Sequence, residues 1–524
     1  MTLYYFWAFL AGGKVIYESD TPLVGYPTRY FAAWAIHNGY FPAWNPYYYL
    51  GYPFLAEGQA GMFYPLNVVF YALPLEKFTW IYHALLALHY WMAGCFAFIW
   101  LRRWVKADWI ALWGAITFEF SGFMISHIFH VNLINVCAFL PLSLYLYDRT
   151  REEKGRLFWL GLVLVGTLQV LAGHFIALTI CWTGVLGYAL GLAFLGTFRS
   201  NRPAEHFRPV VGLALTLGAA CLIGAPQLLP SFMLGRETGR VLIPQVNEGY
   251  LTLDFMRVLI NPNVFGSLYF EKGGYIGLLP LLCLAIPFVR WRKSWKGTLP
   301  VFLVFLSLSL MSLWFTMGPY SSLYKWIAEV PPYSLLRYPS RYLMLVDLFA
   351  IAACASVLAA LEVEWGAVKV LRAWRTSLIG LLFAVQFFDL MRMGHPYTVP
   401  TEAAYYDRIP ARMAYLQSHL QPGERTMSAG FDYSPFNPQN ALAGITERRY
   451  KDFIWTEDGH PVPSEVVPFY TATKYRIPMM AFYEQSTLIR QRYDIFMRKL
   501  QTHRTQEVIN LIATGYLMIP KGKP

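Results

Sequence analysis

Two carboxylates, Glu18 and Asp20, stand one residue apart in VIYESDTPLVGYP (Val15–Pro27), where the first apolar run of the chain stops. A carboxylate so placed can take the proton from an attacking hydroxyl, and a second acid beside it raises its proton affinity by like-charge repulsion. Other polar side chains gather near the ends of apolar runs. They are His127, His130 and Asn132 in SHIFHVNL, His174 in LAGHFIA, Gln227 in GAPQLLP, Arg236 and Arg240 in LGRETGR, Lys272, Tyr275, and Arg337 and Arg341 in LLRYPSR. Arginine forks suit the oxygens of a departing phosphate. Each residue also has a plainer reading: solvated acids at a helix end, interface histidines, snorkelling arginines. His127 and His130 have the i,i+3 spacing of one helical face and suit a metal ion, but no further ligand can be named. They are read as satisfied interface histidines, and no metal site is assigned. Nothing in the sequence requires a cofactor, although a divalent cation stays open.

The elements that carry these residues are membrane spans. Of 524 residues, 56% are hydrophobic and only 14% charged, whereas ordinary soluble domains carry about a quarter charged residues. The candidate spans are 1–17, 78–101, 109–126, 131–147, 157–173, 175–197, 209–230, 274–290, 298–317, 342–361 and 376–393, eleven in all. The formal charge of +12 is not a nucleic-acid patch. Threaded alternately, one set of loops (102–108, 148–156, 199–208, 290–297, 362–375) holds about 17 Lys/Arg against about 7 Asp/Glu, the positive-inside pattern. The N-terminus is then inside, and Glu18 and Asp20 are outside. The six cysteines all fall in apolar stretches without paired spacing, so they are small buried hydrophobes.

The first outer loop, 18–77, is aromatic and rich in Pro and Gly. Within it TRYFAAWAIHNG predicts a short interfacial helix with Tyr30, Phe31, Trp34 and Ala35 on one face, ended by Gly39. MFYPLNVVFYALP is too short to span and reads as a re-entrant or interfacial piece. The chain divides into a polytopic membrane domain, 1–393, and a polar outer segment, 394–524. In that segment RTMSAGF and GYLMIP read as strands and SEVVPFY and TQEVINLIA as helical, a small extracytoplasmic α/β domain.

One chemistry uses these parts economically. For a sugar carried on a polyprenyl phosphate, the leaving group is a phosphate monoester with a second pKa of about 6, stable as an anion without a general acid. Transfer then needs one base and a cationic clamp. Asp20 is the expected base, with Glu18 beside it, and Arg236, Arg337 or Arg341 the clamp. The outcome is a single inverting displacement.

The chain also resembles the YfhO-like bacterial membrane proteins, which belong with the GT-C class of polytopic glycosyltransferases. The resemblance runs through SDTPLVGYPTRYFAAWAIHNGYFPAWNPYYYLGYPFLAEGQAGMFYPLN, with its acid, Tyr-Pro, Gly-x-x-Pro-x-Trp-Asn-Pro, Gly-x-Pro and Tyr-Pro-Leu-Asn. It continues in FEFSGFMISHIFHVNLINVCAFLPLSLYLYDR, GGYIGLLPLL, LLRYPSRYLML, NALAGITERRYKDF and VINLIATGYLMIP. It implies a GT-C-like helical membrane protein of about eleven spans in the bacterial inner membrane, with the catalytic acid in the first outer loop at Asp20. It also implies a polyprenyl-phosphate sugar donor and an extracytoplasmic glycan or lipid acceptor. Arg236, Arg337, Arg341, His130, Asn132, His174, Trp44, Asn45 and Tyr275 are the expected substrate-binding residues. Family members continue past the Tyr-x-x-x-Pro strand into a larger outer domain and a final span, and the opening span here lacks a cytoplasmic leader. The alternative is therefore a non-catalytic structural subunit of a larger membrane complex. A transporter ranks last, because the ionisable groups cluster at one face rather than at midplane.

Overall fold

The computed structural model describes residues 1–16, 20–47, 51–152, 155–200, 202–236, 249–261, 271–289, 297–336, 338–367, 369–394 and 400–403, and the short pieces 414, 417–420, 425–428, 479–480 and 514–518. Among them eight helices are long and apolar enough to cross a membrane: Leu75–Leu101, Asp108–Ser126, Val131–Thr150, Phe175–Ser200, Pro203–Ile223, Leu299–Thr316, Pro339–Glu364 and Trp374–Arg392. Two shorter apolar helices, Arg156–Leu171 and Leu278–Val289, overlap the expected spans 157–173 and 274–290; the second has only twelve residues, because 274–277 is not helical. Composition and exposure together identify the solvent. Pro203–Ile223 has a mean hydropathy of 1.6 with 17% of its window buried, and Trp374–Arg392 has 1.2 with 11% buried. Side chains such as Leu215, Leu222, Leu381 and Phe388 point outward. Apolar surface on that scale is not left facing water, so the chain is a multi-pass membrane protein.

Two further expected spans differ. Over 1–17 the chain forms only a nine-residue helix, Thr2–Leu10, and then a strand, Lys14–Ile16. Nine residues rise about 14 Å, half of the roughly 30 Å hydrocarbon core. The helix ends at Leu10, and Gly13 three residues on takes a positive φ of 64°, which keeps the chain from resuming it. Over 209–230 the helix breaks between Ile223 and Ala225. Gly224 lies against Val170, and a Cβ there would fall 2.4 Å from that side chain.

The chain separates into two compact bodies. The first comprises Met1–Tyr5, Leu86–Ala225 and Pro244–Val399. At its centre runs the helix Leu343–Ala367, packed on Leu299–Thr316, Leu278–Val289 and Asp108–Glu119. The Pro339–Glu364 window is 94% buried, and the run AIAACAS within it is small at every position but Ile351, which lets neighbouring helices approach closely. Trp100, Tyr188, Phe305 and Phe349 form its aromatic core, with Tyr188 and Phe305 stacked at 6.2 Å.

The second body comprises Phe6–Leu85, Pro226–Ile243 and Pro400–Pro524. Lys14–Ile16 pairs antiparallel with Pro400–Glu402, Val15 opposite Thr401, and Lys14 and Glu402 form an ion pair. The helix predicted in TRYFAAWAIHNG spans Tyr26–His37 and ends at Asn38 and Gly39, the latter at φ 76°, as helix C-termini require. It is buried more fully than an interfacial helix. Phe31 and Ala32 pack with Phe54, Ala60 and Met62, and Trp34, Ile36 and Tyr71 close over them. The long loop thus folds on its own aromatic core. MFYPLNVVFYALP contains a 3₁₀ turn, Pro65–Asn67, and a five-residue helix, Val68–Ala72. In the polar segment Arg425–Ser428 and Thr514–Met518 are strands, as RTMSAGF and GYLMIP predicted, parallel to each other and with Met479–Met480 on the other side. SEVVPFY and TQEVINLIA lie outside the described residues.

Candidate active site

In the first body a polar cluster is assembled by the segment Glu271–Gly277, which leaves a 3₁₀ turn at Glu271 and Lys272 and then runs without regular structure. Its backbone meets the helix Gly122–Ser126, where Gly122 N–H donates to Tyr275 O at 2.6 Å. A Cβ on Gly122 would overlap the Tyr275 nitrogen, and one on Gly273 would overlap the Ser126 side chain. Only glycines allow the two backbones to touch. The far end is pinned by Asp389, whose carboxylate accepts from the Tyr275 hydroxyl at 2.8 and 2.9 Å and from Leu278 N–H at 2.9 Å. Gln386 Nε2 donates to Ile276 O at 2.9 Å.

This threading delivers Glu271 to Arg341, which stands in the 3₁₀ turn Pro339–Tyr342 that opens the central helix. Arg341 Nε donates to Glu271 Oε2 at 2.8 Å and Nη2 to Oε1 at 2.5 Å, a bidentate pair. Its side chain is 7% exposed and that of Glu271 13%. The guanidinium lies 4.8 Å over the Tyr338 ring. Nη1 lies 3.2 Å from His174 Nε2, and His127 Nε2 lies 3.2 Å from Glu271 Oε2. Burial by itself would raise the Glu271 pKa, but the charge and hydrogen bonds of Arg341, helped by His127, hold the carboxyl well below the usual range. Burial lowers the pKa of both histidines, for His174 with Arg341 and His130 acting in the same direction. Burial also brings Lys272 down to about 8.

In the second body Asp20 heads a five-residue π-helical turn, Thr21–Gly25, that runs into the helix Tyr26–His37. Such turns are rare and concentrate at functional sites. One turn into the helix sits Arg29, only 3% exposed. Its Nη1 donates to Gly25 O at 3.0 Å, while Nε and Nη2 are buried and find no acceptor among the described residues. The buried hydroxyls of Thr21 and Tyr82 face each other and find no other partner among the described residues. Tyr82 is within electrostatic reach of both Asp20 and Arg29, and it faces Thr21. Its hydroxyl packs on Gly25, where a Cβ would fall 2.6 Å away. Burial lowers the pKa of the Arg29 guanidinium, with Tyr82 and Tyr71 opposing it.

The expected site residues divide between the bodies. His130, His174 and Arg341 gather around Glu271 in the first. Asn132 is buried two residues along, its Oδ1 accepting from Leu133 N–H, and Tyr275 is tied to Asp389. Arg341 is already committed to Glu271, so a phosphate would have to displace that carboxylate. Asp20, Trp44, Asn45 and Arg236 belong to the second body. Asn45 pairs with Tyr52 through the backbone and accepts from Tyr47 N–H at 2.9 Å. Trp44 is 46% exposed and covers Gly51. Arg236 is exposed at a helix end. Glu18, Arg240 and Arg337 lie outside the described residues. Two functional candidates escaped the sequence reading. Arg29 had a usable signal, a cation inside an otherwise apolar short helix. Glu271 had none, since nothing in FEKGG announces a partner 70 residues away.

No family model matches the chain, and no curated protein matches it in sequence. Among solved structures it is similar to the arabinofuranosyltransferase AftD from Mycobacteria, at 14% identity and a TM-score of 0.49, over 92% of this chain and 31% of that one. The chain thus spans about a third of the length of that structural neighbour.

Proposed function

We propose that the chain is a membrane glycosyltransferase that moves a sugar from a polyprenyl phosphate at the outer leaflet to an extracytoplasmic hydroxyl, with Asp20 as general base. This reading rests on the ordered resemblance to YfhO-like proteins and on one observation above all: a buried arginine, Arg29, with two donors unmet among the described residues, nine residues from Asp20 and in the same body. A buried guanidinium without a counter-charge is costly, and a bidentate oxyanion satisfies it. Thr21 and Tyr82 bring further donors. This set supports Arg29 as the phosphate clamp in preference to Arg341, whose fork Glu271 fills. In the step, the acceptor oxygen bonds to the anomeric carbon as the carbon–oxygen bond to phosphate breaks. The electron pair stays on the phosphate oxygen beside Arg29, and Asp20 takes the acceptor's proton. One displacement inverts the anomeric centre.

The test is turnover of the full chain, reconstituted in vesicles with a panel of polyprenyl-phosphate sugars and read as released polyprenyl phosphate. Asp20→Asn removes the base while leaving the turn it heads intact, and the expected loss is about 10²- to 10⁴-fold. Undiminished turnover by the properly assembled variant would exclude Asp20 as base.

A further inference from the structure

The turn SHIFH folds so that His130 N–H donates to His127 O at 2.9 Å, which brings the two rings to 5.4 Å between centroids. Glu271 comes to the same point from the 3₁₀ turn that precedes Gly273. One ligand atom from each of His127, His130 and Glu271 lies within 4.8 Å of the others. We infer that these three residues bind a divalent transition-metal ion of the zinc class, at a site in the first body.

Three features point to an ion rather than to a plain contact between a histidine and an acid. First, His127 Nδ1 lies 3.0 Å from the carbonyl of Phe123. The Ser126 hydroxyl meets the same nitrogen at 3.1 Å. In the tautomer whose Nδ1 hydrogen goes to the carbonyl, the lone pair of the neutral ring is on Nε2, which faces a carboxylate oxygen, and a cation between the two satisfies both. Anchoring of the outer ring nitrogen by a backbone carbonyl is also how metal-bound histidines are usually oriented. Second, the His127 Nε2 to Glu271 Oε2 separation of 3.2 Å is close to the roughly 3.3 Å between two ligands each about 2.0–2.1 Å from a tetrahedral ion. Third, Arg341 grips both carboxylate oxygens and fixes Glu271 in orientation, as the outer partner of a ligating carboxylate does. The ring of His127 is itself held by Phe123, stacked at 4.2 Å.

Two imidazole nitrogens and one carboxylate oxygen suit zinc and its neighbours better than magnesium or calcium, which prefer oxygen throughout. Three protein ligands leave a fourth position for water or an anionic oxygen. The inference does not depend on the glycosyl-transfer reading, because its test measures metal and not turnover.

The full chain is purified in detergent with an affinity tag free of histidine, equilibrated with Zn²⁺, desalted and analysed for metal. The expected result is about one zinc per chain, with retention falling about tenfold or more in His130→Gln and unchanged in His37→Gln. Co²⁺ added to the wild-type chain is expected to give the intense visible absorption of a four-coordinate site, displaced by Zn²⁺. This second measurement decides the matter should the variant fail to fold. Equal zinc in wild type and His130→Gln, or a Co²⁺ spectrum no stronger than that of the hydrated ion, would overturn the assignment.

Discussion

Removing the charge of Glu271 while keeping its shape should unfold the first body more easily than any other single-charge change. Arg341 is only 6% exposed and makes two hydrogen bonds to the carboxylate, at 2.8 and 2.5 Å. In Glu271→Gln the amide offers one acceptor oxygen in place of two, and its NH₂ meets a donor. Two opposite charges about 4 Å apart attract by roughly 4 kcal/mol at the effective dielectric of a partly buried pair, against which stands the cost of burying each. What remains after the substitution is a buried guanidinium with two histidines nearby and no counter-charge. Breaking one side of a buried pair costs about 3–5 kcal/mol, and that is the expected loss. The paired replacement Glu271→Leu with Arg341→Met removes both charges and should recover most of it, because apolar pairs of similar volume are often neutral relative to the ion pair. The assay is reversible denaturant unfolding in mixed micelles for Glu271→Gln and for a cycle of wild type, Glu271→Leu, Arg341→Met and the double variant. A single variant within about 1 kcal/mol of wild type, or a double variant no better than the singles, would refute the reasoning.

Arg29→Met should leave unfolding stability unchanged or raise it by about 1–3 kcal/mol, since it removes a buried charge with unmet donors, while turnover with polyprenyl-phosphate donors collapses. A loss of stability in that variant would mean the guanidinium is structurally satisfied. Gly122→Ala should destabilise by about 1–3 kcal/mol or more through backbone overlap with Tyr275. Gly218→Ala, exposed on a helix where nothing lies within 4 Å of a new Cβ, should instead gain about 0.5–1 kcal/mol of helix propensity. Thermal unfolding of both alanine variants in one detergent checks the contrast, and equal shifts would contradict it. Gly51→Ala should loosen the Trp44 turn, because Gly51 has φ 101° and the indole lies 2.5 Å from a Cβ there. Increased proteolysis within residues 44–52 is the readout, and an unchanged digest would count against the turn.

Patterns that repeat over short distances were legible in the sequence. Apolar runs marked the membrane helices, because lipid demands a continuous apolar surface and internally satisfied backbone. The helix Tyr26–His37 and its Gly39 stop were visible, as were the strands Arg425–Ser428 and Thr514–Met518, since each depends on local periodicity and turn chemistry. Run length alone misled over 1–17, where two glycines and a strand pairing with Pro400–Glu402 outweighed hydropathy.

Only the tertiary structure decided which charges meet. Arg341 was visible as a cation near a helix start, but that its fork belongs to Glu271 depends on Gly122 and Gly273 letting two backbones cross. Arg29 read as one more cation within an aromatic helix, and only the packing of Phe31, Phe54 and Met62 sealed that helix from solvent. Electrostatic partners far apart in the chain leave no periodic trace, because what selects them is burial after folding, and burial is a property of the whole packed chain.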